Sequence, residues 1–594
     1  MRAQGSRPQR RSRAAARGRV FVAAAAMAAS AALALALGST SGAAAARPTK
    51  PTEPPRPNVV VIMSDDQTVQ STQYQKHVTN EIAAHGATFD NSFVNYSLCC
   101  PSRSTFLTGL YAHNHHVLGN APPRGGFDRF ERLDSDNDLP LWLQASGYYT
   151  GEVGKYLNGT GNTNPTEVPP GWNEWYGIAG PVNFYNYALN ENGTLVNYGE
   201  QPSDYVDDVI TGKAVDFIHR NADQQAPFFL YVAYKSPHGG PPHPTGQRCA
   251  NGPPEPPPRH FGQFSDTPLP EPPDFNEADV SDKPRFVQQT PLLTPDRIAA
   301  EQTLYQCELE SLQGVDDGVN SIVDALKSAG TLKNTLIVYT SDNGFLHGEH
   351  RIYTGKVKVY EPSIRVPLFM RGPGIPDGVH VRDLVINADL APTIVEATQA
   401  RAHRVMNGLP LISDTQHPRR ELGRRLLIEG DNFHAIRTQR FIFVQYDDGE
   451  QELYDFQTDP YELQNQVTNP FYAPIRDLLS EELSHLRDCH RDGCARLPRL
   501  TVKLHYSRAP SGLGGPCTRG DITAQVIGHD RRLVTESDFT VNGGAVPPVI
   551  TPPFQVVVPV RTLDTRHHAR VHVTIDMLDG RELTLAKVLP PRCG

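Results

Sequence analysis

Two pairs of oxygen-bearing side chains stand at comparable points along the chain. Asp65 and Asp66 follow the apolar run Asn58-Val59-Val60-Val61-Ile62-Met63, and Asp342 and Asn343 follow a second run, Leu336–Thr340. Adjacent carboxylates repel, and a hard cation bound through oxygen relieves that repulsion. An isolated Asp-Asp pair would read more readily as a solvated turn. The second pair, placed the same way, points instead to one shared all-oxygen site suited to calcium or magnesium and not zinc. Between them lies Ser97-Leu98-Cys99-Cys100-Pro101-Ser102-Arg103, which runs on to Leu107-Thr108-Gly109. Proline is favoured just inside a helix N-terminus. Cys99 is therefore expected where free backbone N–H groups and the helix dipole favour an anion.

The cysteine segment resembles the signature of the type I sulfatases. There, a cysteine followed by any residue and then Pro-Ser-Arg is oxidised after translation to formylglycine. Pro101 and Arg103 stand at the required offsets from Cys99, so Cys99 is the modified residue and Cys100 fills the free position. The resemblance runs over about residues 56–498. Gly154-Lys155-Tyr156-Leu157-Asn158-Gly159 is similar to the second motif in its glucosamine-6-sulfatase form, with Leu157 where many arylsulfatases carry histidine. Ser236-Pro237-His238 matches the sulfate-binding histidine. Lys356-Val357-Lys358-Val359-Tyr360-Glu361, followed by Ile364-Arg365-Val366-Pro367-Leu368, matches the segment of the last lysine, and the distance to Tyr360-Glu361 selects Lys356. Pro170-Gly171-Trp172 and Arg371-Gly372-Pro373-Gly374-Ile375 add to the same likeness. His347 and His350, in His347-Gly348-Glu349-His350, resemble a metal motif only superficially and are given no metal role.

The resemblance implies a mechanism. One Ca2+ ion is held by Asp65, Asp66, Asp342, Asn343 and an oxygen of the formylglycine formed from Cys99. The aldehyde is hydrated, one hydroxyl attacks sulfur and the other later expels sulfate. Arg103 holds the hydrated side chain, while Lys155, Lys356 and His238 surround the sulfate. His238 protonates the departing alcohol oxygen, with Lys356 as a helper. The implied substrates are sulfated sugars, above all 6-O-sulfated glucosamine or N-acetylglucosamine, with aryl sulfates as surrogates. The implied maturation partner is a formylglycine-generating enzyme. Two other readings stay open: a phosphonate monoester or phosphodiester hydrolase of the same superfamily, and an inactive exported carbohydrate-binding protein.

Such residues need a rigid scaffold. Continuous apolar runs at 58–63, 228–233, 336–340 and 366–370 alternate with helical patterns, clearest over 298–329, so an α/β domain around a mostly parallel sheet is expected. Ligands in such domains sit beyond the carboxyl ends of the strands. By resemblance the domain is alkaline-phosphatase-like and spans 57–398, with a smaller α+β subdomain over 399–498. Alternating stretches after residue 499 predict an all-β, sandwich-like module to 594. Residues 239–293 are crowded with proline and read as an irregular insertion, either a lid or a surface loop.

The ends of the chain bear on where it works. Residues 1–19 carry seven arginines and no acid, an Ala/Val/Leu run follows to Leu37, and small residues extend to Ala46. That layout reads as a signal peptide over 1–46 with a linker over 47–56, so a secreted or cell-envelope protein without stable membrane insertion is expected. Removing those arginines takes the formal charge from −9 to about −16, which leaves no basic footprint for nucleic acid. Export permits disulfides. Among the eight cysteines, Cys489 with Cys494, Cys517 with Cys593 and Cys249 with Cys307 are the expected pairs, leaving the adjacent Cys99 and Cys100 unpaired.

Overall fold

A strand without polar alternation needs cover on both faces. In the computed structural model the first apolar run forms β1 (Asn58–Asp65), buried along its whole length. The structure describes residues 56–593 apart from 242–247, 250–251, 420–421, 496, 498, 511–515, 564–567 and 579. The signal-peptide reading and nearly all of the linker lie outside the described residues.

β1 sits inside a ten-stranded sheet with β2 (Ala87–Phe93), β3 (Tyr149–Gly154), β4 (Glu174–Ile178), β5 (Tyr187–Glu191), β6 (Thr194–Tyr198), β7 (Phe228–Pro237), β8 (Thr335–Ser341), β9 (Leu368–Arg371) and β10 (Val379–Ile386). The spatial order is β10-β2-β9-β8-β1-β7-β3-β4-β5-β6. The central strands β8, β1, β7, β3 and β4 are parallel neighbours. The flanks are antiparallel where β9 inserts between β2 and β8 and where β4, β5 and β6 form a meander. Asn192 and Gly193, both at positive φ, make the two-residue turn from β5 to β6, the backbone a tight hairpin requires.

Alternate side chains of β1 point to opposite faces. Val59, Val61 and Met63 pack with Phe106 and Leu107 of α1 (Cys99–Thr108). Val60 and Ile62 pack with residues of α2 (Val206–Asn221) and α3 (Pro295–Ser328), among them Ile210, Phe217, Val315 and Val319. Helices on both faces of the sheet are the layered arrangement expected of the α/β pattern. The Thr294 hydroxyl caps α3 by accepting from Arg297 N, with Pro295 in the first turn. Cys249 and Cys307 tie the proline-rich segment to this helix.

Beyond the sheet, β11 (Leu426–Glu429), β12 (Phe433–Arg437), β13 (Phe441–Tyr446) and β14 (Gln451–Asp455) form an antiparallel sheet. It is covered by α4 (Ala473–Arg487), whose Ile475, Leu479 and Leu483 are buried. Among the described residues after 499, the secondary structure is β-sheet and short turns of 3-10 helix, in antiparallel sheets of three and four main strands, cross-linked by Cys517–Cys593. Their buried faces join Val502, Ile522, Phe539, Val571 and Ile575 to the apolar cluster that also covers β11–β14. Cys489–Cys494 is the third disulfide, and Cys99 and Cys100 are free and buried. No helix among the described residues is long and apolar enough to cross a membrane.

Candidate active site

Four neighbouring parallel strands end at one edge of the sheet, and each is followed directly by a polar side chain. β1 ends in Asp65 and turns at Asp66, which holds a positive φ of 72°. β8 ends at Ser341, before Asp342 and Asn343. β7 ends at Pro237, before His238. β3 ends at Gly154, before Lys155. Gly154 has φ +116°, and a Cβ there would stand 2.0 Å from the Ala233 carbonyl oxygen. Only glycine lets β3 approach β7 this closely, and the contact fixes the Lys155 backbone through its N–H to Ala233 O at 2.8 Å. The carboxyl edge is where an open α/β sheet binds ligands.

Helix α1 brings Cys99 to this edge in its first turn, with Leu98 extended just before it. Cys99 Sγ lies 3.4 Å from Asp65 Oδ1 and 3.1 Å from Lys356 Nζ. Lys356 also donates to Asp66 Oδ1 at 2.5 Å, and Lys155 donates to Asp65 Oδ2. Arg103, one turn along α1, donates from Nε to Asp342 Oδ2 at 2.8 Å and from Nη1 to Lys155 O. His238 Nε2 faces Asp66 Oδ2 at 3.7 Å, while Nδ1 lies 2.7 Å from Gly239 O. The structure thus brings Asp65, Asp66, Cys99, Arg103, Lys155, His238, Asp342, Asn343 and Lys356 to one place.

The electrostatics follow from burying so many charges together. Burial works to raise Asp65, yet Lys155, His238, Arg103 and Lys356 hold its carboxyl well below the usual range. Asp66 is lowered too, against burial, chiefly by Lys356 and His238. Asp342 goes the other way, to about 6, through burial and the nearby Asp65. Burial and Asp65 push the Cys99 thiol up to about 12. An unmodified thiol there is protonated at neutral pH and is a weak nucleophile.

The donors fit a hard cation. One ligand atom each from Asp65, Asp66, Cys99 and Asp342 lies within 4.8 Å of all the others. Asn343 donates from Nδ2 to Asp66 Oδ1 at 2.7 Å, and its buried Oδ1 has no hydrogen-bond partner. A buried amide oxygen without a partner, on a side chain hydrogen-bonded to Asp66, fits an additional oxygen ligand for such a cation.

Residues 57–400 match the sulfatase family model, and residues 348–489 match the model of the N-sulphoglucosamine sulphohydrolase C-terminal region. The chain belongs to the sulfatase family. It is 34% identical over 360 residues to the putative extracellular sulfatase Sulf-1 homolog of Caenorhabditis elegans, over 60% of this chain and 48% of that protein. It thus spans about half the length of that relative. It is 33% identical over 366 residues to the N-acetylglucosamine-6-sulfatase of Homo sapiens, covering 60% of this chain and 64% of that one. In fold it matches the structure of BT4656 in complex with D-glucosamine-2-N,6-O-disulfate, with TM-score 0.58 and 24% identity over 73% of this chain and 97% of the other.

Within this sulfatase scaffold, Lys356 and not Lys358 reaches the cysteine, because Lys358 turns away to stand over the Phe286 ring at 4.8 Å. Leu157 is buried among Tyr156, Trp172 and Trp175, so no imidazole occupies that position. His350 is buried against Glu277 at 2.7 Å and stacks beside Tyr360. His347 is held by glutamates and not by the oxygen cluster.

Two residues of the sulfatase cavity escape sequence reasoning. Lys235, two residues before Pro237 in β7, is buried and donates to the carbonyls of His238 and Gly239 at 3.1 and 2.8 Å. Burial lowers it to about 8. Glu308 lies far off in sequence, on α3, yet lines the same cavity of about 800 Å³ as Asp65, Lys155, His238 and Lys356. A lysine inside a strand run carries no local signal of function, and a helical glutamate reads as solvated.

Proposed function

We propose that this chain hydrolyses sulfate esters, with formylglycine derived from Cys99 as the nucleophile and one calcium ion at the strand ends. The observation that carries the reading is the convergence on Cys99, at a helix N-terminus, of three carboxylates and the cations Arg103, Lys155 and Lys356. The cations suit an anionic ester, and the carboxylates with Asn343 suit the metal. The high pKa of the buried thiol supports chemical conversion of Cys99, because the thiol itself would react poorly.

Each group has a part in the proposed reaction. Asp65, Asp66, Asp342 and Asn343 would hold the calcium ion, which when bound polarises the sulfate oxygens and acidifies a hydroxyl. The modified side chain supplies a hydrate, one hydroxyl to attack sulfur and one to release it. Arg103, locked by Asp342, orients residue 99. Lys155 and Lys356 lie beside it and offset charge as the sulfate oxygens become more negative. His238 presents Nε2 to the reacting centre, since Nδ1 faces the Gly239 carbonyl. Burial lowers this imidazole to about 4 without substrate. An incoming anion favours its protonated form, and Nε2 then gives that proton to the departing oxygen.

The substrate proposed is a 6-O-sulfated glucosamine or N-acetylglucosamine. The similarity to the human N-acetylglucosamine-6-sulfatase supports it. Export through residues 1–46 and maturation by a formylglycine-generating enzyme complete the proposal. Sulfate release from N-acetylglucosamine 6-sulfate and 4-nitrophenyl sulfate, measured beside hydrolysis of phenylphosphonate monoesters, tests it. Higher kcat/KM on the sulfates is expected, and faster phosphonate hydrolysis would favour the other enzyme class.

A further inference from the structure

The cavity has two chemically different parts. Lys155, Lys235, His238 and Lys356 stand in it with Asp65 and Asp66, to which Lys155 and Lys356 are ion-paired, and its lining also includes Glu308 with Leu304, Phe345 and Thr354. Glu308 is 7% exposed, and that exposure is to the cavity. Its Oε2 is 3.0 Å from His347 Nε2, whereas among the described residues no hydrogen bond reaches its Oε1. His347 cannot swing away. Its Nδ1 faces Glu301 Oε2 at 3.5 Å, its backbone N–H donates to Glu349 Oε2 at 2.6 Å, and the rings of Phe345 and Tyr305 lie 5.2 and 5.6 Å from its own. Thr354 in turn donates to Glu301 Oε1. Glu301, Leu304 and Glu308 recur at helical spacing on α3, so a rigid element carries this wall.

Three carboxylates surrounding one imidazole leave the wall acidic, opposite in sign to the end that suits sulfate. A carboxylate with a free oxygen accepts hydrogen bonds from hydroxyl or ammonium groups. It also repels an anion strongly where water is scarce. We propose that Glu308, positioned by His347, is a specificity residue that accepts hydrogen bonds from donors on the sugar ring and rejects a second sulfate on that side. The inference rests on the sulfated-sugar reading above and deepens it: the preferred substrate carries one sulfate, with hydroxyl or amino groups towards α3.

The test compares kcat/KM for glucosamine 6-O-sulfate and glucosamine-2-N,6-O-disulfate in the wild-type enzyme, Glu308→Gln and Glu308→Asp. A ratio of the two substrates within one preparation is independent of how much of the variant has folded. The wild-type enzyme should prefer the monosulfate by about tenfold or more, the size of one like-charge contact in a partly desolvated site. Glu308→Gln should lower that ratio about tenfold, mainly through a lower KM for the disulfate. Glu308→Asp, which keeps the charge, should stay near the wild-type ratio. A ratio unchanged in Glu308→Gln overturns the inference alone. Turnover of 4-nitrophenyl sulfate but of neither sugar overturns the sugar reading and this inference together.

Discussion

Lys356 Nζ stands 3.1 Å from Cys99 Sγ, although 257 residues separate them in the chain. The lysine arrives on the loop after β8 and is held by its bond to Asp66, while Lys358, two residues on, leaves the site for the Phe286 ring. The pair separates two lysines that the sequence presents almost side by side. Lys356→Ala should lower kcat/KM for an aryl sulfate by about 10²–10³-fold, the usual cost of removing one preorganised charge-stabilising group. Lys358→Ala should stay within about threefold of wild type, since a cation–π contact away from the reacting centre contributes little to turnover. Equal losses in the two variants would show that the loop, and not the Lys356 ammonium, matters.

Calcium binding should be visible without any assay of turnover. A ligand that binds only the folded state raises stability in proportion to the logarithm of its concentration. Calcium should therefore raise the wild-type Tm and a chelator should lower it. Asn343→Ala, which removes the unpartnered Oδ1, should weaken calcium binding by about 10–100-fold and flatten that response. A wild-type Tm indifferent to both calcium and chelator would count against the site.

Lys235 shapes the site indirectly. Its ammonium holds two carbonyls of the His238 loop and sits over the Phe184 ring at 4.2 Å. Lys235→Ala should lower kcat/KM about tenfold, with kcat affected more than KM, because His238 is no longer held at the reacting centre. Lys235→Arg should recover part of the loss. A variant with lower Tm but unchanged kinetics would mark Lys235 as purely structural.

Glu152 gives a prediction for pH and stability. It lies in β3 with both carboxylate oxygens buried and without hydrogen-bond partners. Burial pushes its pKa well above the ordinary 4.5, with Arg103 opposing. Folded, the group keeps its proton; unfolded, it releases it once pH exceeds about 4.5. The folded state is thus progressively penalised as pH rises from that value towards the folded pKa, by up to about 1.4 kcal/mol per pH unit. Glu152→Gln keeps the shape and cannot titrate. Its stability relative to wild type should grow as pH rises above about 4.5 in thermal melts, and a difference independent of pH would contradict a buried, protonated Glu152.

How much of this was legible in advance depended on locality. The apolar strands β1, β7 and β8 and the polar residues after them could be read from short stretches, because a buried parallel strand has a continuous apolar signature and its carboxyl end fixes where the next side chain goes; β3, whose Tyr149-Thr150-Gly151-Glu152-Val153-Gly154 is not an apolar run, gave no such signal. The antiparallel flanks could not be read this way. The pairing of β9 with β2 and β8 depends on contacts between distant segments, and its four residues give no sign of direction. The same limit hid the acidic wall. Glu301, Glu308 and His347 meet only because α3 packs across the sheet beside the loop after β8. His347 looked like half of a failed metal motif, and only its partners show that its role lies beside Glu308.

The most direct test is the mass of the peptide containing Cys99 from active enzyme made in its natural host, with turnover measured on the same preparation. Residue 99 should have lost its sulfur and gained an aldehyde, Cys100 should be intact, and activity should scale with the modified fraction. Full multiple turnover by a preparation whose Cys99 is an unmodified thiol would contradict it.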